Sequence, residues 1–123
     1  PPGIEDARER LARNPDDIEA LRRVGRAFLE ARDPHAARLV LSHGAEAGGG
    51  AEDLNMLGVA CHRAGDLAGA LDAFRRARDA GSAAATANLA TIAADLELPE
   101  LAQALRDEAP RRPEGLLLKE GGA

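Results

Sequence analysis

The sequence predicts an all-α protein assembled from tandem helix-turn-helix repeats stacked as a solenoid. Small and large apolar residues recur at matched sites with an offset of 33 residues and then 32. Within each copy they follow helical spacing, interrupted by glycine, aspartate and proline at corresponding places. Aromatics are nearly absent, Phe28 and Phe74 being the only two. The core must therefore consist of Ala, Leu, Val and Ile, which suits closely approaching helices better than strands.

At the N-terminal end, Ile4, Ala7 and Leu11 define one amphipathic helix over 1–13, expected to cap the stack or to complete a missing repeat. Asn14-Pro15-Asp16-Asp17 is a start signal for the helix that carries Leu21. When the first copy is laid over the second, Val24-Gly25 falls on Leu57-Gly58, Phe28 on Cys61, and Asp33 on Asp66. Ala37 then meets Ala70, Leu41 meets Phe74, and Gly44 meets Ala77. In the third copy Leu89-Ala90 falls on Leu57-Gly58, Ala93 on Cys61, Ala102 on Ala70, and Ala109 on Ala77.

The middle copy shows why each half is helical. Leu54, Leu57 and Cys61 form one apolar stripe at helical spacing. Ala64-Gly65-Asp66 interrupts it, with Gly65 suited to a left-handed C-terminal position and Asp66 to capping the next helix. Leu67, Ala70, Leu71, Phe74 and Ala77 make the second stripe, which ends near Gly81-Ser82. Asp33-Pro34 performs the same break in the first copy. Glycine inside a helix costs about 1 kcal/mol relative to alanine, so Gly25 and Gly58 need a reason. The expected reason is close approach of the second helix of the same repeat, with Ala37 and Ala70 as the small residues opposite. Leu41 and Phe74 are expected to plug the space between repeats. Ala45 to Gly50 reads as a flexible joint, Leu116-Leu117-Leu118 as the start of one more short helix, and Gly121-Gly122 as frayed.

Together, Leu57-Gly58, Ala64-Gly65-Asp66, Ala70, Phe74 and Ala77 resemble the signature of the tetratricopeptide repeat family. Leu54, Cys61 and Ser82 depart from it, standing where that family favours tryptophan or another aromatic, tyrosine, and proline. The third copy departs further, with Arg106 at the plug position. The resemblance implies a right-handed α-solenoid of about three repeats, at 14–47, 48–82 and, in degenerate form, 83–113. The cap at 1–13 and a C-terminal cap or tail at 114–123 would flank it.

It also implies a concave groove lined by the first helix of each repeat. That face would carry Arg22, Arg26 and Leu29 from the first repeat. The second would supply Asn55, Met56, Val59, His62 and Arg63, and the third Asn88, Thr91 and Asp95. Asparagine amides are suited to holding an extended peptide backbone. Arg22, Arg26 and Arg63 are expected to pair with acidic side chains or a C-terminal carboxylate. Arg26, Met56 and Ala84 stand where the family's chaperone-tail clamp needs asparagines and a lysine, so chaperone-tail binding is not expected.

No catalytic or metal-binding constellation is legible, and no cofactor is expected. Cys61 and His62 are adjacent and point about 100° apart on a helix, which prevents joint chelation. Cys61 reads instead as a small buried filler. His35 and His43 lack a cysteine or carboxylate at chelating distance in sequence and read as solvated. Gly48-Gly49-Gly50 lacks the lysine of a phosphate loop, and Asp107 and Glu108 read as ordinary helix surface.

The net charge of -5 argues against nucleic acid as the main ligand. No apolar run approaches the roughly 18 residues that span a bilayer. The single cysteine excludes an internal disulfide. Lys119 is the only lysine among the basic residues, a bias in keeping with a GC-rich bacterial genome. Bacterial cytoplasm, periplasm and cell envelope all remain open. The chain begins Pro1-Pro2-Gly3 without an initiator methionine and reads as a fragment or a processed product.

The expected function is that of a non-catalytic interaction module, a scaffold or adaptor binding another protein or peptide in the groove. One alternative is an assembly element that self-associates through an exposed end, with the degenerate third repeat and Leu116-Leu117-Leu118 as the adhesive surface. The other is an accessory segment of a larger enzyme or of an envelope, secretion or motility complex.

Overall fold

The structure, a computed structural model, describes residues 2–119, and among them it has seven α-helices and no strand. The helices are α1 (Pro2–Arg13), α2 (Ile18–Glu30), α3 (Pro34–Glu46), α4 (Ala51–Arg63), α5 (Leu67–Asp79), α6 (Ala83–Asp95) and α7 (Pro99–Glu108). Each packs on its neighbours in sequence, and α4 also touches both α2 and α6. Ala7 is buried on the inner face of α1, flanked by the half-buried Ile4 and Leu11. α2 and α3 fall within 14–47, α4 and α5 within 48–82, and α6 and α7 within 83–113. Gly121-Gly122 lies outside the described residues.

One turn is used repeatedly, and it sets the period. After α2, α4, α5 and α6, the residue beyond the C-cap has positive φ: Arg32, Gly65, Gly81 and Glu97. The next N–H then returns to a carbonyl five residues back, as in Asp33 to Phe28, Asp66 to Cys61, Ser82 to Ala77 and Leu98 to Ala93. This bond closes the helix end and satisfies an otherwise orphaned carbonyl. The same residue begins the next helix: Asp33, Asp66 and Ser82 each accept a hydrogen bond from the backbone N–H three residues on.

The α3–α4 turn follows the same plan with one extra residue. Gly48 has positive φ and Gly49 N–H closes on Gly44 O, but Gly50 is the N-cap of α4. The first two helix pairs are therefore 33 residues apart and the next two 32. The flexible joint expected here is an ordered turn. A Cβ on Gly49 would come within 2.8 Å of Gly44 O and 2.9 Å of Asp53 Cβ, so the segment is tightly seated.

The packing at Gly25 and Gly58 differs in detail from the expectation. A Cβ on Gly58 would stand 2.5 Å from Phe74 Cδ1, and one on Gly25 would stand 2.5 Å from Leu41 Cδ2. The large residue of the second helix lies directly over the glycine of the first. Ala70 and Ala37 are fully buried, but the atoms nearest the glycines are those of Phe74 and Leu41. Phe74 and Leu41 thus fill a notch inside their own repeat. The third pair follows the same logic in reverse. Arg106 stands at the plug position and is exposed, and Ala90 replaces the glycine. Ala90, Ala93, Ala102 and Leu105 form a separate small core there, supported by Leu89.

α4 is the centre of the molecule, buried from Asp53 through Cys61 on every face. Such burial needs cover on all sides of the helix. α3 and α5 pack on it, α2 and α6 flank it, and the C-terminal segment covers what remains. That segment is not the short helix expected at Leu116-Leu117-Leu118. Residues 116–119 have no helical assignment. Leu116 and Leu118 pack on the core cluster, whereas Leu117 is 44 % exposed. Burial at alternate residues is the signature of extended chain.

Candidate functional site

The site is the α2–α4–α6 face, and it is occupied by the chain's own C-terminal segment. Asn55 on α4 and Asn88 on α6 are each 1 % exposed. Asn88 Nδ2 donates to Asn55 Oδ1 at 2.9 Å, which orients both amides. Asn55 Nδ2 then donates to Leu116 O at 3.0 Å, and Asn88 Nδ2 donates to the same carbonyl at 2.9 Å. Leu118 N–H returns a bond to Asn88 Oδ1 at 2.8 Å. The pair thus reads a backbone C=O and the N–H two residues on. No buried side-chain polar atom among the described residues lacks a partner.

The segment enters through a tight point. Gly115 has φ +120°, and a Cβ there would lie 2.8 Å from Ala84 Cβ. Both facts require glycine. A hollow of about 830 Å³ adjoins this entry, and its walls include Arg26, Glu52, Asn55, Ser82 and Arg112. At the exit a second hollow is bounded by Leu29, Arg32, Arg63, Leu118 and Lys119. The path therefore runs along α4 in the direction of that helix.

The residues expected in the groove separate into groups. Asn55 and Asn88 hold the segment, and Leu29 and Arg63 border its exit. Met56 and Val59 are buried in the core cluster on which Leu116 and Leu118 pack. His62 and Asp95 lie on a different hollow, with Ile92 and Leu96. Thr91 borders another beside Leu117 and Arg106, its hydroxyl donating to Ala87 O at 3.2 Å.

Two of the three arginines are already paired within the chain. Arg22 makes a two-pronged ion pair with Asp53, Nε to Oδ1 at 2.7 Å and the terminal nitrogen to Oδ2 at 3.0 Å. The hydrogen bond that Arg22 donates to Asp53, stronger in effect than the cost of partial burial, raises the Arg22 pKa above its ordinary value. Asp53 is 2 % exposed and also accepts from Gly50 N–H at 3.0 Å, so it caps α4 and ties α2 to it. Arg26 donates to Glu52 at 3.0 Å, with Met56 Sδ 3.7 Å away. Arg22 is consequently a structural tie, whereas Arg26 is half exposed and gives Glu52 only one of its guanidinium nitrogens.

Asp53 and Gly115 are not singled out by the sequence, and Leu116 and Leu118 read there as helix or adhesive surface, not as an extended segment held by the asparagines. Asp53 resembles any acid in a first helical turn, although its place three residues after the N-cap is a capping signal. Pro113 and Gly115 on either side of Glu114 argue against a helix, and that signal was available.

Cys61 is buried, and burial pushes its thiol pKa up, away from the reactive thiolate. His43 is not merely solvated: its Nε2 lies 2.8 Å from Asp16 Oδ1 at the surface. Among the described residues no three His, Cys, Asp or Glu side chains are grouped to hold a metal, and no helix is long and apolar enough to cross a membrane. Comparison with known protein families finds no model that matches the chain, and comparison with characterised proteins finds no match.

Proposed function

We propose that the chain is a non-catalytic protein-interaction module that binds an extended peptide along α2, α4 and α6. In this reading α2 to α7 form a right-handed solenoid of three tetratricopeptide-type repeats, and the binding face is its concave side. The 33- and 32-residue offsets, the repeated turn and the glycine–plug pairs support the repeat architecture.

The observation that carries the function is the seat of residues 116–118. Two buried asparagines spend their amides on the backbone of an extended segment. Backbone-directed bonds are indifferent to side chains, which is how extended peptides are gripped generally. Each contributes on the order of 1 kcal/mol net, and a buried amide left without a partner costs about 1–3 kcal/mol. The face is therefore built to be filled.

The test selects peptides from a random display library on the Gly115→Val variant of the chain, whose own segment is excluded from its seat. Selected peptides are expected to lose at least about tenfold in affinity when Asn55 and Asn88 are both replaced by alanine. Failure to select any peptide, or equal binding by the double variant, would reject the reading.

A second reading, self-association, gains support from another surface. Leu67, Leu71, Leu96, Leu98 and Leu101 are exposed at the α5 start and around the α6–α7 turn. The adhesive edge proposed under this reading is there. Leu116 and Leu118, expected to supply it, are half-buried against the core.

A further inference from the structure

We infer that the groove selects extended segments of the pattern Gly-Leu-any-Leu, and that residues 115–118 of the chain are a tethered occupant which a partner segment of that pattern must displace. This deepens the peptide-binding reading and rests on it.

Each position of the pattern has its own physical cause. The first must be glycine, because Gly115 combines φ +120° with a site where a Cβ would meet Ala84 at 2.8 Å. The second and fourth must be apolar, because Leu116 and Leu118 pack on the cluster that contains Met56 and Val59. Leucine fits without a polar atom to satisfy there. The third is the least constrained, since Leu117 is outside the cluster and is 44 % exposed, at a hollow it shares with Thr91 and Arg106. Register is set by the backbone, through Leu116 O on Asn55 and Asn88 and Leu118 N–H on Asn88. A segment from another protein would find the same bonds on the same path.

The occupant is held lightly for something that covers a core helix. Three hydrogen bonds and two half-buried leucines fix it. The chain between α7 and Gly115 is non-helical, and Pro110, Arg111, Arg112 and Glu114 in it are exposed. The shortness of that link keeps the segment at an effective concentration on the order of millimolar. An external segment competes against that, so the unmodified chain binds weakly and a chain with its tail displaced binds well.

The probe is a blocked, fluorescent peptide Pro-Glu-Gly-Leu-Leu-Leu-Lys, the sequence of residues 113–119. It is titrated into the full chain, into Gly115→Val, and into the double variant Leu116→Asp/Leu118→Asp. Both variants are expected to bind it at least about tenfold more tightly than the unmodified chain. Aspartate at the first or third leucine of the peptide should weaken binding by about tenfold or more, and serine at the middle leucine by less than about threefold. Equal binding by all three proteins, or indifference to the leucine replacements, would overturn the proposal. So would a dimer of the unmodified chain in which each copy's tail fills the other's groove. If both variants bind peptides from the display selection through Asn55 and Asn88 but ignore this probe, the pattern is wrong and the peptide-binding reading stands. If Asn55→Ala/Asn88→Ala binds every peptide as tightly as its parent, both fail.

Discussion

The ring of Phe74 occupies the space that a side chain at Gly58 would need, with 2.5 Å between Phe74 Cδ1 and the position of such a Cβ. Gly58→Ala should therefore destabilise by overpacking, about 1–3 kcal/mol, although alanine is the better helix former. Phe74→Ala should cost about 3–5 kcal/mol by leaving a cavity. In the Phe74→Ala background the penalty of Gly58→Ala should vanish or change sign, because the obstructing ring is gone. Ala90→Gly, at the corresponding site of the third pair, should cost about 0.5–1 kcal/mol, since no plug lies over it. Urea denaturation of the five proteins checks all four effects. Additive penalties at positions 58 and 74 would refute the notch.

Asp53 joins three things: the Arg22 guanidinium, the Gly50 N–H and the interior of the α2–α4 contact. Asp53→Ala should destabilise by on the order of 2–4 kcal/mol, because a partly buried arginine loses its two-pronged partner, keeping only the longer contact to Glu52 at 3.8 Å, and a helix loses its cap. Glu52→Ala, one residue earlier and exposed, should change stability by no more than about 0.5 kcal/mol. By the same reasoning Arg22→Glu sets a second carboxylate against Asp53 and should lower stability. It is therefore unsuitable as a test of ligand binding. Denaturation midpoints of the three variants measure the difference.

Arg78 on α5 forms a two-pronged ion pair with Glu108 on α7. The hydrogen bond from Arg78 lowers the Glu108 pKa below the ordinary value of 4.5, and unfolding restores that value. A carboxylate depressed in the folded state adds stability that is present above the unfolded value and is lost as pH falls through the folded one. The unmodified protein should therefore lose more stability than Glu108→Gln between about pH 6 and about pH 3. The pair is exposed, so about 1 M salt should narrow the gap. Thermal melts at the two pH values, with and without salt, test this. Parallel losses would show that the pair adds nothing.

The helices and their period were legible because turns carry residues that few other environments require. Gly65-Asp66 and Asp33-Pro34 announced their breaks, and matched small and large residues gave the offsets. The α6–α7 break was less visible, since Glu97 takes the left-handed position usually given to glycine, as Arg32 does in the turn that Asp33-Pro34 marks. The partner of Gly58 was misjudged because Ala70 and Phe74 sit one turn apart on one face, and spacing cannot say which lies over the notch. The arginines were misjudged for another reason. Arg22 and Asp53 are 31 residues apart, and an internal ion pair looks in sequence like two solvated charges. Three consecutive leucines have no period of their own, so only Pro113 and Gly115 before them argue against a helix. The asparagines were chosen for what their amides can do, but that the chain itself supplies a peptide depends on the path of the polypeptide after Pro113.

The most direct measurement is amide hydrogen exchange at Leu118. This N–H belongs to no helix, and its partner is the Asn88 side chain. It should be protected in the unmodified chain and lose protection in Asn88→Ala and in Gly115→Val, with the helical amides of α4 and α5 little changed. An unprotected Leu118 amide in the unmodified chain, or protection that survives both substitutions, would contradict a groove that grips extended backbone through Asn55 and Asn88.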